Sequence, residues 1–128
     1  RLKRQVDMNF VLVTRDAEIA QAATNAYGTH YGLKVFEHWH SALSQLEGVD
    51  LMFVDLVATL EEPGKIEGYE RFAAAKMAHE IGAKVPLVVI APPADYEVDA
   101  MVGWLNFVFA MVRRPVTEKL FRQASGWV

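Results

Sequence analysis

The chain contains no cysteine. A disulfide framework, a thiolate metal site and a cysteine nucleophile are therefore excluded, and the redox compartment stays open. Long apolar runs are also missing. The longest, from Phe107 to Val112, has the length of a strand and falls far short of the ~18 residues a membrane span needs. Positive charge is scarce: 13 Lys and Arg stand against 16 Asp and Glu, a formal net charge of -3. A domain that coats nucleic acid is usually basic, so this domain alone is not expected to bind DNA or RNA. The opening residues, Arg1 to Gln5, are charged with no apolar segment behind them. They do not read as a secretory signal, and a cytoplasmic, membrane-free protein is expected. The missing initiator Met reads as a fragment or a processed form. No Gly-x-Gly-x-x-Gly or Walker pattern occurs. Ser41, Ser44 and Ser125 have no nucleophile-elbow glycines beside them. No cofactor and no enzymatic activity are expected.

The chain does hold 128 residues, 52% of them hydrophobic and 23% charged, enough for one globular domain with one ordinary core. Residues 1–8 read as an N-terminal extension of that domain. Apolar runs then alternate with amphipathic stretches. Asn9 to Thr14, Leu33 to Phe36, Val49 to Asp55, Pro86 to Ala91 and Phe107 to Val112 read as strands. Asp16 is a plausible N-cap for a helix over Ala17 to Tyr27. Further helices are expected over Ser41 to Leu46, Tyr69 to Ile81, Asp95 to Trp104 and Val116 to Ala124, with Phe72, Ala73, Met77 and Ile81 as the buried stripe of the third. Val57 to Gly68 reads as a loop. Five βα units imply a doubly wound parallel sheet with helices on both faces. Ligands of such sheets bind beyond the carboxyl ends of the strands. The positions to inspect are therefore Thr14, Arg15 and Asp16, then Asp55, then Ala91 and Pro92, then Arg113, Arg114 and Pro115.

Those positions resemble the receiver domain of response regulators, from about Asn9 to Ala124. Val49-Asp50-Leu51-Met52-Phe53-Val54-Asp55 is similar to the receiver's third strand, with Asp55 at the phosphoacceptor position. Gly68-Tyr69-Glu70 resembles the Gly-x-Glu that opens its third helix, and Arg114-Pro115-Val116 stands where Lys-Pro-apolar would. The resemblance implies a flavodoxin-like, CheY-like sheet of order 2-1-3-4-5 with five flanking helices. It also implies a signalling module working with a protein partner or an attached output domain. The reaction centre departs from the pattern. The acid pair is Thr14-Arg15, with only the following Asp16 kept; the Thr or Ser of the fourth strand is Ala91; the Lys is Arg114; the aromatic of the fifth strand is Met111. Such a degenerate form is a pseudo-receiver.

Phosphorylation of an aspartate needs a divalent ion on oxygen ligands. Arg15 stands where one of those ligands should be and carries a permanent positive charge. Arg15 or Arg114 is expected to pair with Asp55 in place of metal, with Arg15 the first to test; otherwise Asp55 makes ordinary loop hydrogen bonds. Ala91 and Met111 read as plain core. The reading is a phosphorylation-independent regulatory module acting through protein contacts. The alternative is a receiver still phosphorylated at Asp55 by a histidine kinase with altered metal use. No metal site is expected: His38 and His40 flank Trp39 without a third ligand at a usable spacing. The resemblance further implies a homodimer through the fourth helix, fifth strand and fifth helix, with Trp104, Phe109, Phe121 and Trp127 as anchors.

Overall fold

Three of the apolar runs, within Asn9–Val13, Leu51–Asp55 and Leu87–Ala91, are short and satisfied by burial on both faces, the situation of a central parallel strand. In the computed structural model, which describes residues 8–28, 31–61, 67–92 and 108–127, these three and two half-exposed edge strands form one sheet. They are β1 (Asn9–Val13), β2 (Gly32–Phe36), β3 (Leu51–Asp55), β4 (Leu87–Ala91) and β5 (Val108–Arg113). All four pairings are parallel and the order is β2-β1-β3-β4-β5, as the sequence leads one to expect. The described helices are α1 (Ala17–Tyr27), α2 (Trp39–Leu43), α3 (Leu56–Thr59), α4 (Glu67–Ala78) and α5 (Glu118–Ala124). The helix expected over Asp95 to Trp104 lies outside the described residues.

Alternation along the strands divides the core in two. Val11, Val13, Met52, Val54, Leu87 and Val89 face Trp39 and Leu43 of α2 and Tyr69 and Phe72 of α4. Phe10, Leu12, Leu51, Phe53, Val88 and Ile90 face Ile19, Ala23 and Tyr27 of α1 and Phe121 and Ala124 of α5. The second layer is aromatic. Phe10 stacks on Tyr27 at 4.4 Å, and Phe121 meets Phe53 edge-on at 5.1 Å. The Tyr27 hydroxyl donates to the Phe121 carbonyl at 2.5 Å, and burial raises the phenol above its ordinary pKa. Truncating a ring in such a layer costs about 3–5 kcal/mol.

Three local expectations are corrected. The segment after Asp55, read as loop, begins with the four-residue helix α3. The second helix starts at Trp39, two residues before the Ser41 expected, and ends at Leu43. On α4 the inward stripe is Tyr69, Phe72, Ala73 and Lys76, while Met77 is 58% exposed and Ile81, past the end of the helix at Ala78, is 39% exposed. Those four residues lie at the i, i+3, i+4, i+7 positions of one helix face, so the lysine takes the inward place and the methionine the outward one. Lys76 is tolerated because its ammonium donates to the carbonyls of Gly82 at 2.8 Å and Val85 at 2.6 Å. Burial still pushes its pKa down to about 8.

Candidate functional site

Parallel register brings Val13 beside Val54, Asp55 beside Ile90, and Ala91 beside Arg113. Thr14, Asp55, Ala91 and Arg114 therefore gather at the carboxyl edge of the sheet, although they are scattered along the chain. Side chains alternate along extended backbone. Thr14 thus turns inward, buried, and Arg15 turns outward, exposed. Asp16 follows as the N-cap of α1, where its carboxylate accepts from the Glu18 N–H at 2.9 Å. The Thr14 hydroxyl accepts from the Asp16 N–H at 3.0 Å and donates to Asp55 Oδ2 at 2.8 Å.

Arg114, one residue past β5, completes the cluster. Its backbone N–H donates to the Ala91 carbonyl at 3.0 Å, and the Arg114–Pro115 peptide is cis. One terminal nitrogen of the guanidinium pairs with Asp16 Oδ2 at 2.6 Å and the other with Asp55 Oδ2 at 2.5 Å. The planar fork is suited to spanning two acids in this way. The Asp55 side chain is 2% exposed, those of Arg114 and Asp16 25% and 29%. The Arg114 guanidinium, helped by the Glu18 N–H, holds the Asp16 carboxyl below the usual carboxylate range. Asp55 precedes α3 yet does not cap it; its carboxylate is turned to Thr14 and Arg114.

Arg15, the arginine expected first at Asp55, reaches elsewhere. Its guanidinium donates to the Ala58 carbonyl at 3.0 Å, on the rim of a pocket of ≈ 250 Å³ lined also by Asp16, Asp55, Val57 and Arg114. Ala91 is fully buried, so no side chain there reaches the mouth of the sheet. Met111 is 38% exposed, so the core reading of this residue is corrected: β5 is an edge strand and that face is open at Met111. Phe121 was expected at an interface and is instead fully buried between Tyr27 and Phe53. Phe109 is 52% and Trp127 38% exposed; Trp104 lies outside the described residues. His38 and His40 are exposed on either side of buried Trp39.

A divalent ion would need oxygen ligands here, and the cluster does not fit one. Oδ2 of both acids already meets the Arg114 guanidinium, and among the described residues no group of three or more His, Cys, Asp and Glu side chains could hold a metal. Among the same residues no helix is long and apolar enough to cross a membrane. Two features escaped the sequence reading. The arm from Arg114 to Asp16 spans 98 positions, a distance no local pattern reports. The inward Lys76 was hidden by the apolar residues beside it.

No protein-family model matches the chain, and no curated protein matches it. Solved structures do. A signal receiver domain of a two-component histidine kinase from Clostridium thermocellum is 14% identical, with 93% of this chain and 94% of that one covered at a TM-score of 0.71. A chemotaxis response regulator of Vibrio cholerae is 15% identical, covering 94% and 98% at 0.69. A response regulator from Thermotoga maritima is 15% identical, covering 94% and 95% at 0.69. The likeness runs through the whole sheet and its strand order, and on that ground the chain has the CheY-like fold of response-regulator receiver domains.

Proposed function

We propose that this chain is a regulatory module of the receiver type whose reaction centre is held shut by Arg114, and which acts through protein contacts without phosphorylation. One observation carries the reading: a single guanidinium joins Asp16 and Asp55, the two acids at the mouth of the sheet. A fixed cation on both carboxylates disfavours a divalent ion by charge and by taking its oxygen ligands. Phosphoryl transfer to Asp55 would lack the metal that neutralises the developing charge. Ala91 offers no hydroxyl to a phosphoryl group, so modification would have no residue there to move. Output then depends on surfaces that are always present. The apolar side chains of Phe109 and Met111 on the edge strand β5, and of Trp127 beyond α5, stand exposed, and exposed apolar side chains of this size support a reading as contact sites. A homodimer, an attached output domain or another protein would be met there.

Incubation with acetyl phosphate and Mg²⁺, followed by intact-mass measurement, tests the reading. No phosphoryl adduct is expected on the wild type. An adduct that Asp55→Asn abolishes would establish the alternative, a receiver still phosphorylated at Asp55. Sedimentation of the wild type and of Trp127→Ala tests the surface. Loss of self-association in the variant supports it, and a monomer at all concentrations with no protein captured removes it.

A further inference from the structure

The sheet has an open edge at β2, which pairs only with β1. The Gly32 N–H donates to the Met8 carbonyl and the Phe36 carbonyl accepts from the Thr14 N–H, each at 2.9 Å, so the backbone of both β2 residues faces β1. Peptide groups of successive strand residues point to opposite sides. Lys34 therefore also turns its N–H and C=O to β1, while Leu33 and Val35 turn theirs outward. Among the described residues those two have no backbone partner. Such an edge is a template for a further strand. Lys34 lies on the α2 face. There it is the one charged residue, among those described, lining a groove of ≈ 560 Å³ shared with Ser41, Ser44 and Gln45. Its ammonium makes no ion pair among the described residues and donates to the Gln45 side-chain oxygen at 3.3 Å. Glu47 lines the adjoining pocket at the Gly32 end of the strand. On the other face Leu33 is half-buried and Val35 is 42% exposed.

We infer that β2 accepts, antiparallel, an extended segment of a partner protein in which an acidic residue stands between two apolar ones. In antiparallel pairing the residues opposite Leu33 and Val35 exchange both hydrogen bonds with them, and the residue opposite Lys34 falls in the closer, non-hydrogen-bonded pair. Its side chain lies on the α2 face, over the groove, where a carboxylate gains an opposite charge directly across from it. The hydroxyls of Ser41 and Ser44 line the same groove. The two flanking side chains fall on the other face, against Leu33 and Val35. A second copy fits less well, because pairing two β2 strands through Leu33 and Val35 sets Lys34 against Lys34, like charges directly opposite. The edge lies two strands from β3 and on the far side of the sheet from β5. Its occupancy does not depend on whether Arg114 closes the site at Asp55.

Amide chemical shifts and hydrogen exchange of the full chain, at matched ionic strength, report the pairing. The probes are acetyl-Thr-Val-Glu-Val-Thr-amide, the same peptide with lysine in place of glutamate, and the glutamate peptide N-methylated at both valines. The glutamate peptide should give saturable shifts at residues 33–35 and 41–45. It should slow exchange at the Leu33 and Val35 N–H groups and leave that of Lys34, already turned to β1, little changed. The lysine peptide should bind about fivefold more weakly. Lys34 is exposed, so Lys34→Glu should fold, and it should reverse that order. N-methylation removes the two donors that meet Leu33 and Val35 and should abolish binding. No saturable shift with the glutamate peptide, an unchanged order in Lys34→Glu, or undiminished binding after N-methylation would each overturn the inference. Equal or tighter binding of the lysine peptide would do the same, placing control of the edge with Glu37 and Glu47. Protection of Leu33 and Val35 that appears in the free chain as its concentration rises would also overturn it, since a second copy would then fill the edge.

Discussion

Removing Arg114 is the sharpest perturbation of this site. In Arg114→Ala the 2%-exposed Asp55 carboxylate keeps only the Thr14 hydroxyl, and Asp16 keeps only its bond to the Glu18 N–H. Stripping one partner from a buried ion pair costs about 3–5 kcal/mol. The Asp16 arm, more than a quarter exposed, adds ~0.2–1 kcal/mol as a surface pair does. The guanidinium itself is 25% exposed, so water replaces part of what it supplied. A net loss of about 2–4 kcal/mol follows, roughly a 10 °C fall in melting temperature for a domain of this size. Arg114→Lys keeps the charge but cannot fork across two acids, and should lose only about 1 kcal/mol. Adding Asp55→Asn to Arg114→Ala removes the stranded charge and should recover at least about 1 kcal/mol, a coupling that a double-mutant cycle in urea reads directly. Arg114→Ala also frees two carboxylates, so Mg²⁺ should raise its melting temperature and leave the wild type unmoved. An Arg114→Ala protein within about 0.5 kcal/mol of wild type, the scatter of neutral surface changes, would refute the argument that this arginine closes the site.

Asp16 should contribute stability that is present above its unfolded pKa, near 3.8, and lost as pH falls through the lower folded value. In urea unfolding, the gap between wild type and Asp16→Asn should therefore be widest above pH 4 and close at strongly acid pH. Lys76 should behave in the opposite sense: burial takes its pKa from 10.5 to about 8, so the unfolded chain binds the extra proton between those values. Wild type should gain stability relative to Lys76→Met as pH rises from 8 to 10.5, by about 2 kcal/mol or more if the full shift is expressed; a pH-independent difference would contradict it. Gly68 packs against α3, and a Cβ there would lie 2.1 Å from the Thr59 carbonyl oxygen and 2.8 Å from the Glu61 nitrogen. Gly68→Ala must push α4 away from α3, and calorimetry should show a loss of about 1–3 kcal/mol.

Strands were legible where the sequence is β-branched and bounded by turn residues. Asn9 to Val13 and Leu87 to Ala91 fall within the segments expected. The N-cap Asp16 was legible for the same kind of reason, since a cap is a local hydrogen bond. The short α3 was not, because four residues after a strand leave no periodicity to read. The stripe of α4 was misread by one position because Met77 is apolar and Lys76 is not. Burial of Lys76 depends on two carbonyls from residues 82 and 85 that present themselves only once the chain has turned back.

Sequence alone determined the layer architecture, the strand order through its likeness to receivers, and the set of positions at the mouth of the sheet. The layers and the positions follow from alternation and chain direction, which are local properties, whereas the strand order was implied by the resemblance alone. It also left Arg15 and Arg114 as rival partners of Asp55. Tertiary structure decided between them. Extended backbone at the end of β1 points Thr14 inward and Arg15 outward, while Arg114 arrives from the end of β5, two places from β3 in the sheet, with a fork long enough to join Asp16 and Asp55. Which cation neutralises a buried acid is a matter of direction and reach in space, and neither is written in the spacing of residues along a chain.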